Sequence, residues 1–259
     1  MTHARVPAAG GARELRRLTV HGVDIVLESA PGVFMPSQNG LFYAESVTVH
    51  AGERALDVGT GSGVLAVMAA KLGATVDATD VDPRAVAAAE HNARLNGVDV
   101  RVHLGALAAG LEGPFDVILA NLPNEIVAPA YLARLSPEDA RVFAGGERGN
   151  ELILALLAAA GRLMHARSRL YLPVHSLTDY HATLAAAIGG YRARLVSLAP
   201  LPAKPFVGEH LEFYRALDER GVVHIFTDGA RWYSYGYVYE LRLRRRAEGK
   251  EDGEADDDD

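Results

Sequence analysis

Three short stretches carry side chains whose types and spacing can do chemistry. The first is Asp57-Val-Gly-Thr-Gly-Ser-Gly63, which follows a short apolar run and opens a helix-like one. Gly59, Gly61 and Gly63 either make a plain tight turn or let the backbone approach a ligand at a helix N-terminus, where unpaired N–H groups gather. The second is Asp80, at the end of the next apolar run, where a carboxylate is placed to hold the hydroxyls of a ribose. Asp82, two residues on, reads as a helix cap before Pro83. The third is Asn121-Leu122-Pro123-Asn124, after the run Asp116-Val-Ile-Leu-Ala120. Asn121 is either a turn residue closing a strand or a polar group presented at a strand's carboxyl end.

Two rival ligands lose on spacing. The dinucleotide fingerprint wants Gly or Ala where Val64 stands, and the Lys-Ser/Thr ending of a phosphate-binding loop is missing. The Asp57 carboxylate would repel a pyrophosphate, but it favours a cofactor carrying a sulfonium and an ammonium. That preference points to S-adenosylmethionine. Val81, beside Asp80, and Asn121 join Asp57, Asp80 and the three glycines in the expected cofactor set.

The elements that must position these residues follow from the pattern of apolar positions. Leu18 to Leu27 alternates around His21-Gly22 as a small β-hairpin would. The turn-rich segment Ser29 to Ser37 leads into a helix over Leu41 to Val49. Then come strand 55–58, helix 64–72, strand 75–79, helix 84–95 with Asn96-Gly97 at its end, strand 98–104 and strand 115–120. Such alternation implies a parallel sheet covered by helices. Beyond Asn121 the pattern predicts a long helix over 150–165, strand 169–173, helix 176–188, strand 193–198, and a β-rich end at 222–226 and 231–243. Pro200, Pro202 and Pro205 between the late strands suggest an antiparallel edge. The expected fold is α/β: a Rossmann-like, seven-stranded, mostly parallel sheet with an antiparallel edge strand, helices on both faces and a small N-terminal β appendage. Residues 1–50 form the appendage and lead-in helix, 51–246 the main domain with an insertion at 200–220, and 247–259 an acidic disordered tail.

Composition narrows the function classes. Zero cysteines in 259 residues exclude disulfides, thiolate metal sites and a cysteine nucleophile. The ten histidines are scattered, with no pair at the close helical spacing a zinc site needs, so no metal is expected. No apolar run is long enough to span a membrane and no signal-peptide pattern opens the chain, which predicts a cytoplasmic protein. A formal net charge of -7 speaks against nucleic acid as a partner, since phosphate neutralisation needs a basic surface. The basic run Arg242, Arg244, Arg245 and Arg246 is either a phosphate site or a solvated strand end.

Leu56-Asp57-Val-Gly-Thr-Gly-Ser-Gly63, Ala78-Thr-Asp-Val-Asp-Pro83 and Asp116-Val-Ile-Leu-Ala-Asn-Leu-Pro-Asn124 resemble the ordered motifs of class I S-adenosylmethionine-dependent methyltransferases. More narrowly, they resemble the release-factor glutamine methyltransferases. Pro31-Gly-Val-Phe-Met-Pro36 and Ala144-Gly-Gly-Glu-Arg-Gly149 extend the similarity over roughly residues 29–175. Two departures stand out. Ala106 follows Gly105 where the family commonly has an acidic residue, so adenine would be held by backbone or apolar contacts. Asn-Leu-Pro-Asn also replaces the family's Asn-Pro-Pro-aromatic loop.

The resemblance implies that the Asn121 side-chain oxygen and the Leu122 carbonyl receive the two N–H bonds of an acceptor nitrogen, with Pro123 holding Leu122 extended. Asn121, Leu122 and Pro123 are therefore the expected catalytic set. Asn124 stands where an aromatic residue would stack on a flat acceptor. This favours a small-molecule amine, guanidine or related nitrogen, with a protein glutamine amide as the alternative, and leaves oxygen and carbon acceptors open. Phe34, Asn124, Glu209, His210 and Tyr214 are the expected acceptor-binding residues. Glu125, Glu209, His210 and Glu212 are proton acceptors by chemistry alone. Phe206, Phe213 and Met35 either wall the pocket or pack the core.

Overall fold

The computed structural model describes residues 14–143 and 145–244. The acidic tail expected at 247–259, Arg245 and Arg246 of the basic run, and the first residues of the expected appendage lie outside them. In chain order the elements are β1 (Leu15–Val20), β2 (Val23–Glu28), α1 (Gln38–Ser46), β3 (Arg54–Val58), α2 (Val64–Lys71), β4 (Thr75–Asp80), α3 (Pro83–Leu95), β5 (Val100–Leu104) and β6 (Phe115–Ala120). They continue with α4 (Pro129–Leu132), α5 (Pro137–Phe143), α6 (Glu151–Ala160), β7 (Met164–His175), α7 (Tyr180–Gly190), β8 (Tyr191–Pro202), α8 (Pro205–Glu209), α9 (Leu211–Glu219), β9 (Ile225–Thr227) and β10 (Trp232–Leu243).

The strands lie in the order β5-β4-β3-β6-β7-β10-β8, with β9 paired to β10. β3 to β7 run parallel, and β10 is antiparallel to both β7 and β8. The mostly parallel sheet is as expected, with two corrections. A short strand, β9, raises the sheet to eight strands by pairing with the start of β10. The reversed strand is not the edge. β10 slots between β7 and β8, where Val238 and Leu241 are buried, and β8 is left outside it.

The central strands are buried almost continuously, and their side chains alternate between two cores with the period of two, as helices on both faces require. Ala55, Val117 and Leu119 join a core with α1, α2 and the hairpin, while Leu56, Val58, Ile118 and Ala120 join one with α6 and α7. Helix α2 has six consecutive buried residues, Val64 to Ala69, because it is enclosed on all sides. Helix α3 starts where its signals say, with Asp82 Oδ1 accepting from Arg84 N at 2.8 Å and Pro83 in the first turn. The hairpin β1–β2 is part of the main core: Val20, Ile25 and Leu27 are buried in it. Its β2 backbone is held by α3, with Val26 N donating to Asn96 Oδ1 at 2.9 Å and Glu28 N to Asn92 Oδ1 at 2.8 Å.

Other elements shift from their expected bounds for local reasons. α1 begins at Gln38 because Ser37 Oγ accepts from Gly40 N, capping it early. α6 ends at Ala160 because a 3-10 turn over Gly161–Leu163 hands the chain to β7, which takes residues assigned to the helix. The expected insertion carries α8 and α9, packed through Phe206, Val207 and Tyr214 around Val127 and Leu177. No helix among the described residues is long and apolar enough to cross a membrane.

Candidate active site

A cavity of about 620 Å³ opens at the carboxyl ends of β3, β4 and β6, where a doubly wound sheet places its ligands. One half is built from the glycine loop. Gly59 N and Thr60 N donate to Thr79 O, both at 2.9 Å, which folds the loop over the end of β4. Gly59 has φ +71°, and a Cβ there would stand 2.4 Å from Leu122 Cδ2. Gly63, at φ +83°, lets α2 pass 3.0 Å from Ala89 Cα on α3, measured from the Cβ it lacks.

Asp80 lines this half. Its Oδ2 accepts from Gly61 N and its Oδ1 from Asp82 N, both at 2.9 Å, so the carboxylate is fixed while each oxygen keeps a lone pair for a diol. Val81 is 63% exposed beside it, and with Ala106 and Leu107 it forms an apolar wall of the cavity suited to a flat heterocycle. The wall is anchored, because Gly105 N donates to Asp80 O at 2.8 Å and Thr79 Oγ1 donates to Leu107 O. On the opposite side Val33 packs on Ala85 and Ala88, and Phe34 meets Phe143 edge-on at 6.3 Å.

Asp57 sits behind the loop and not on the cavity wall. Its Oδ2 accepts from Thr60 Oγ1 at 2.7 Å and Ala66 N at 3.1 Å, while Oδ1 is buried without a partner. Burial pushes its pKa up to about 7 against the pull of those hydrogen bonds, and the charge of Asp80 adds to the rise. A buried carboxylate with an unsatisfied oxygen behind this loop fits a cationic cofactor. These residues therefore suit S-adenosylmethionine, with the Asp57 charge favouring its sulfonium and ammonium, Asp80 its ribose, and Val81, Ala106 and Leu107 its adenine.

The other half of the cavity surrounds Asn121. Its side chain lines the cavity and makes no hydrogen bond to the described residues, so its amide is available to a ligand. Gly40 makes the room, since a Cβ there would stand 3.2 Å from Asn121 Nδ2. The strand end before Asn121 is pinned by Tyr43 on α1, whose hydroxyl accepts from Ala120 N and donates to Tyr171 O, both at 2.9 Å. Leu122, Pro123 and Asn124 also line the cavity, and Asn124 Nδ2 donates to Pro173 O at 3.3 Å. Asn39, Glu125, His175 and Lys204 form a polar wall, and Phe42 and Tyr237 an aromatic one.

The structure thus brings together Gly59, Gly61, Asp80, Val81, Asn121, Leu122, Pro123, Asn124 and Phe34 around one cavity, with Asp57 and Gly63 supporting it from behind. Glu209, His210 and Tyr214 lie outside it. The Tyr214 ring is buried under the segment that follows β6, its hydroxyl donating to Ile126 O at 3.0 Å and accepting from Ala128 N at 3.2 Å. Glu209 pairs with Arg134 at 2.5 Å on the surface, and the His210 ring lies edge-on to Tyr131 at 6.3 Å. Sequence reasoning missed Asn39, Tyr43, His175 and Lys204. Each comes from a segment without a motif and reaches the cavity only through folding.

A mostly parallel sheet with one reversed strand next to its edge, with a glycine loop and a carboxylate at the end of the following strand, is similar to the domain of class I S-adenosylmethionine-dependent methyltransferases. Residues 38–144 match the family model of ribosomal protein L11 methyltransferase (PrmA), and the match does not bear out the narrower resemblance to release-factor glutamine methyltransferases expected from the motifs. The L11 methyltransferase of Bacillus cereus strain B4264 is 45% identical over 130 residues, covering 47% of this chain and 40% of the relative. The chain therefore spans less than half the length of the curated relatives it matches. Among solved structures, the 16S rRNA N2 methyltransferase RsmC of T. thermophilus, in complex with AdoMet and guanosine, superposes with a TM-score of 0.60 at 17% identity, covering 92% of this chain and 52% of that one. The ribosomal protein L11 methylase of Lactobacillus delbrueckii subsp. bulgaricus gives 0.51 at 22% identity, covering 81% of each chain. At these identities the structural likeness establishes the fold.

Proposed function

We propose that the protein transfers the methyl group of S-adenosylmethionine to a nitrogen of a protein acceptor, in the manner that the matched relatives' name describes for ribosomal protein L11. The observation that carries the transfer is the contact between Gly59 and Leu122, which sets the acceptor loop directly against the cofactor loop. Bound cofactor supplies an electrophilic methyl on a sulfonium. The protein's task is then to hold a lone pair in line with the bond that breaks. The Asn121 oxygen and the Leu122 carbonyl accept the N–H bonds of the acceptor and turn its lone pair toward the cofactor half. Tyr43 keeps them in place through Ala120 N.

The choice of a protein over a small molecule reverses the order expected from sequence. What supports it is the match of residues 38–144 to a protein-methylating family. The reason for disfavouring a flat acceptor also weakens, because Phe42 and Tyr237 provide the aromatic wall that Asn124 does not. The experiment is incorporation of labelled methyl from S-adenosylmethionine into purified ribosomal protein L11, with free amines and guanidines in parallel. Mass shifts on the protein support the reading. Transfer confined to the small molecules would restore the earlier ranking, and no transfer to any nitrogen would remove the proposed chemistry.

A further inference from the structure

The late strands carry a group of arginines that methyl transfer leaves unused. Register pairs Glu240 of β10 with Tyr171 on β7 and with Arg194 on β8, and Arg242 with Arg192, so these side chains share one face of the sheet. Arg169, two residues before Tyr171, lies on that face as well. Tyr43 of α1 packs over the part near Val238. Toward the amino ends of β7 and β8 the strands border a second cavity instead, of about 310 Å³, lined by Arg192, Ala193, Arg194, Glu240 and Arg242.

Four guanidinium groups here meet two carboxylates. Arg169 pairs with Glu53 at 2.6 Å, and its Nε is buried without a partner. Arg194 and Arg242 share Glu240, at 2.9 Å and 2.7 Å. Burial opposes ionisation of Glu240, yet the hydrogen bonds from Arg242 and Arg194 prevail and hold its carboxyl below the usual range. Arg192 is exposed and makes no hydrogen bond or ion pair with the described residues. The face thus keeps a positive surplus made of guanidinium forks, the geometry that suits carboxylates.

The chain itself holds a matching anion. Residues 248–259 contain eight acidic residues and Lys250, so this segment carries the whole formal net charge of -7. β10 ends at Leu243, paired with Tyr191, which brings Arg244 out beside Arg192. Glu248 follows Arg244 by four residues, a reach of about 13 Å for extended chain. So short a tether sets the segment's concentration at the face on the order of 1 mM, an advantage that no separate polyanion has. Asp252, Glu254, Asp256 and Asp258 also recur at every second residue, the spacing that separates Arg192 from Arg194 on β8.

We propose that residues 248–259 dock on the arginine face of β8 and β10, so that the chain covers its own anion-binding surface. The inference stands apart from the methyl-transfer reading, since the two cavities share no lining residue.

Phenylglyoxal, which modifies accessible guanidinium groups, tests this on the full-length chain, with each arginine followed by peptide mass mapping. The comparison variant has the eight acidic residues of 248–259 replaced by asparagine or glutamine. At about 10 mM salt, Arg192 is expected to react about fivefold more slowly in the wild type than in the variant, because charges are then little screened. Arg220, exposed at the end of α9, should react alike in both. Raising the salt to about 1 M should speed Arg192 of the wild type relative to Arg220, and this arm decides the matter should the variant fail to fold. Equal Arg192 rates in the two proteins at low salt overturn the docking, as does a parallel change at Arg220, which marks a general effect of net charge. Protection of Arg192 by a single-stranded RNA to the same extent in both proteins would assign the face to nucleic acid and overturn it as well.

Discussion

Replacing Asp57 by asparagine should separate two effects of its charge that act in opposite directions. In the folded chain its pKa is pushed up to about 7, chiefly by burial, from the ordinary value of 3.8. Between about pH 4 and 7 the folded protein therefore keeps a proton that the unfolded chain has released. Stability from this group is full below that window and is lost as pH rises through it. A shift of about three units amounts to about 4 kcal/mol at pH 8. Asp57→Asn cannot ionise, and its amide can still accept from Thr60 and Ala66. The cofactor-free variant is expected to melt above the wild type at pH 8, on the order of 10 °C for a domain of this size, and level with it near pH 4.

Cofactor binding should show the reverse. A sulfonium and an ammonium favour the ionised carboxylate, so wild-type affinity is expected to rise between about pH 5.5 and 7.5, with release of a proton. A cation within about 8 Å, at an effective dielectric near 20, contributes about 2 kcal/mol, or roughly 30-fold. Asp57→Asn should bind more weakly by that factor at pH 7.5 and lose the pH dependence. Scanning calorimetry at the two pH values, and titration calorimetry in buffers of different ionisation enthalpy, read both effects. If Asp57→Asn melts lower than the wild type at pH 8, or if wild-type binding releases no proton, then the charge on Asp57 is not what prepares the site.

Asn121→Ala is expected to lower turnover about 100-fold, in line with the loss of a group that orients a reacting atom, while calorimetry shows cofactor affinity within twofold; full activity would remove Asn121 from the mechanism. Gly59→Ala places a Cβ 2.4 Å from Leu122 Cδ2 on a backbone at φ +71°, so both cofactor binding and turnover should fall by more than tenfold, and wild-type binding would mean that the two loops are not in contact. Tyr43→Phe leaves Ala120 N–H and Tyr171 C=O without their shared partner, at a cost of about 1 to 3 kcal/mol in urea unfolding. Its turnover should fall with cofactor affinity preserved, and a variant as stable and as active as the wild type would show that the hydroxyl does not position the loop.

What could be read from sequence was what is local. The Asp57 to Gly63 loop and the Asp82–Pro83 start of α3 announce themselves because one backbone geometry admits few residue types, and neighbours along the chain satisfy each other's hydrogen bonds. Asp80 was legible for the same reason, as its partners Gly61 and Asp82 lie in adjoining motifs. The order of the late strands was not. Whether β10 forms the edge or slips between β7 and β8 is decided by burial of Val238 and Leu241, and nothing in the spacing of Pro200, Pro202 and Pro205 records it. Glu209, His210 and Tyr214 were drawn to the cavity by residue type alone, and the amphipathic turn of α8 and α9 sends them elsewhere. Lys204 lies a few residues before them and does reach the wall, through a single contact with Glu125 that spans 79 positions.

The distribution of tethers divides the site in two. The glycine loop is held by β4 and α3: Thr79 O binds Gly59 and Thr60, Asp80 binds Gly61, and Asn92 Nδ2 donates to Ser62 O at 2.8 Å. The acceptor loop hangs instead from the late part of the chain. Ile126 N donates to Leu177 O at 2.7 Å, Tyr214 on α9 bonds Ile126 and Ala128, and Lys204 at the start of α8 bonds Glu125. The two halves meet at Gly59 and Leu122. A change in α8 or α9 can therefore move the acceptor loop while the groups that hold the cofactor keep their partners. On the proposed reading, residues 200–230 are where acceptor choice would vary without disturbing the tethers of the glycine loop. Of the wall around Asn121, Asn39, Phe42 and Glu125 fall within residues 38–144, which match the L11 methyltransferase family model, whereas His175, Lys204 and Tyr237 lie beyond that match.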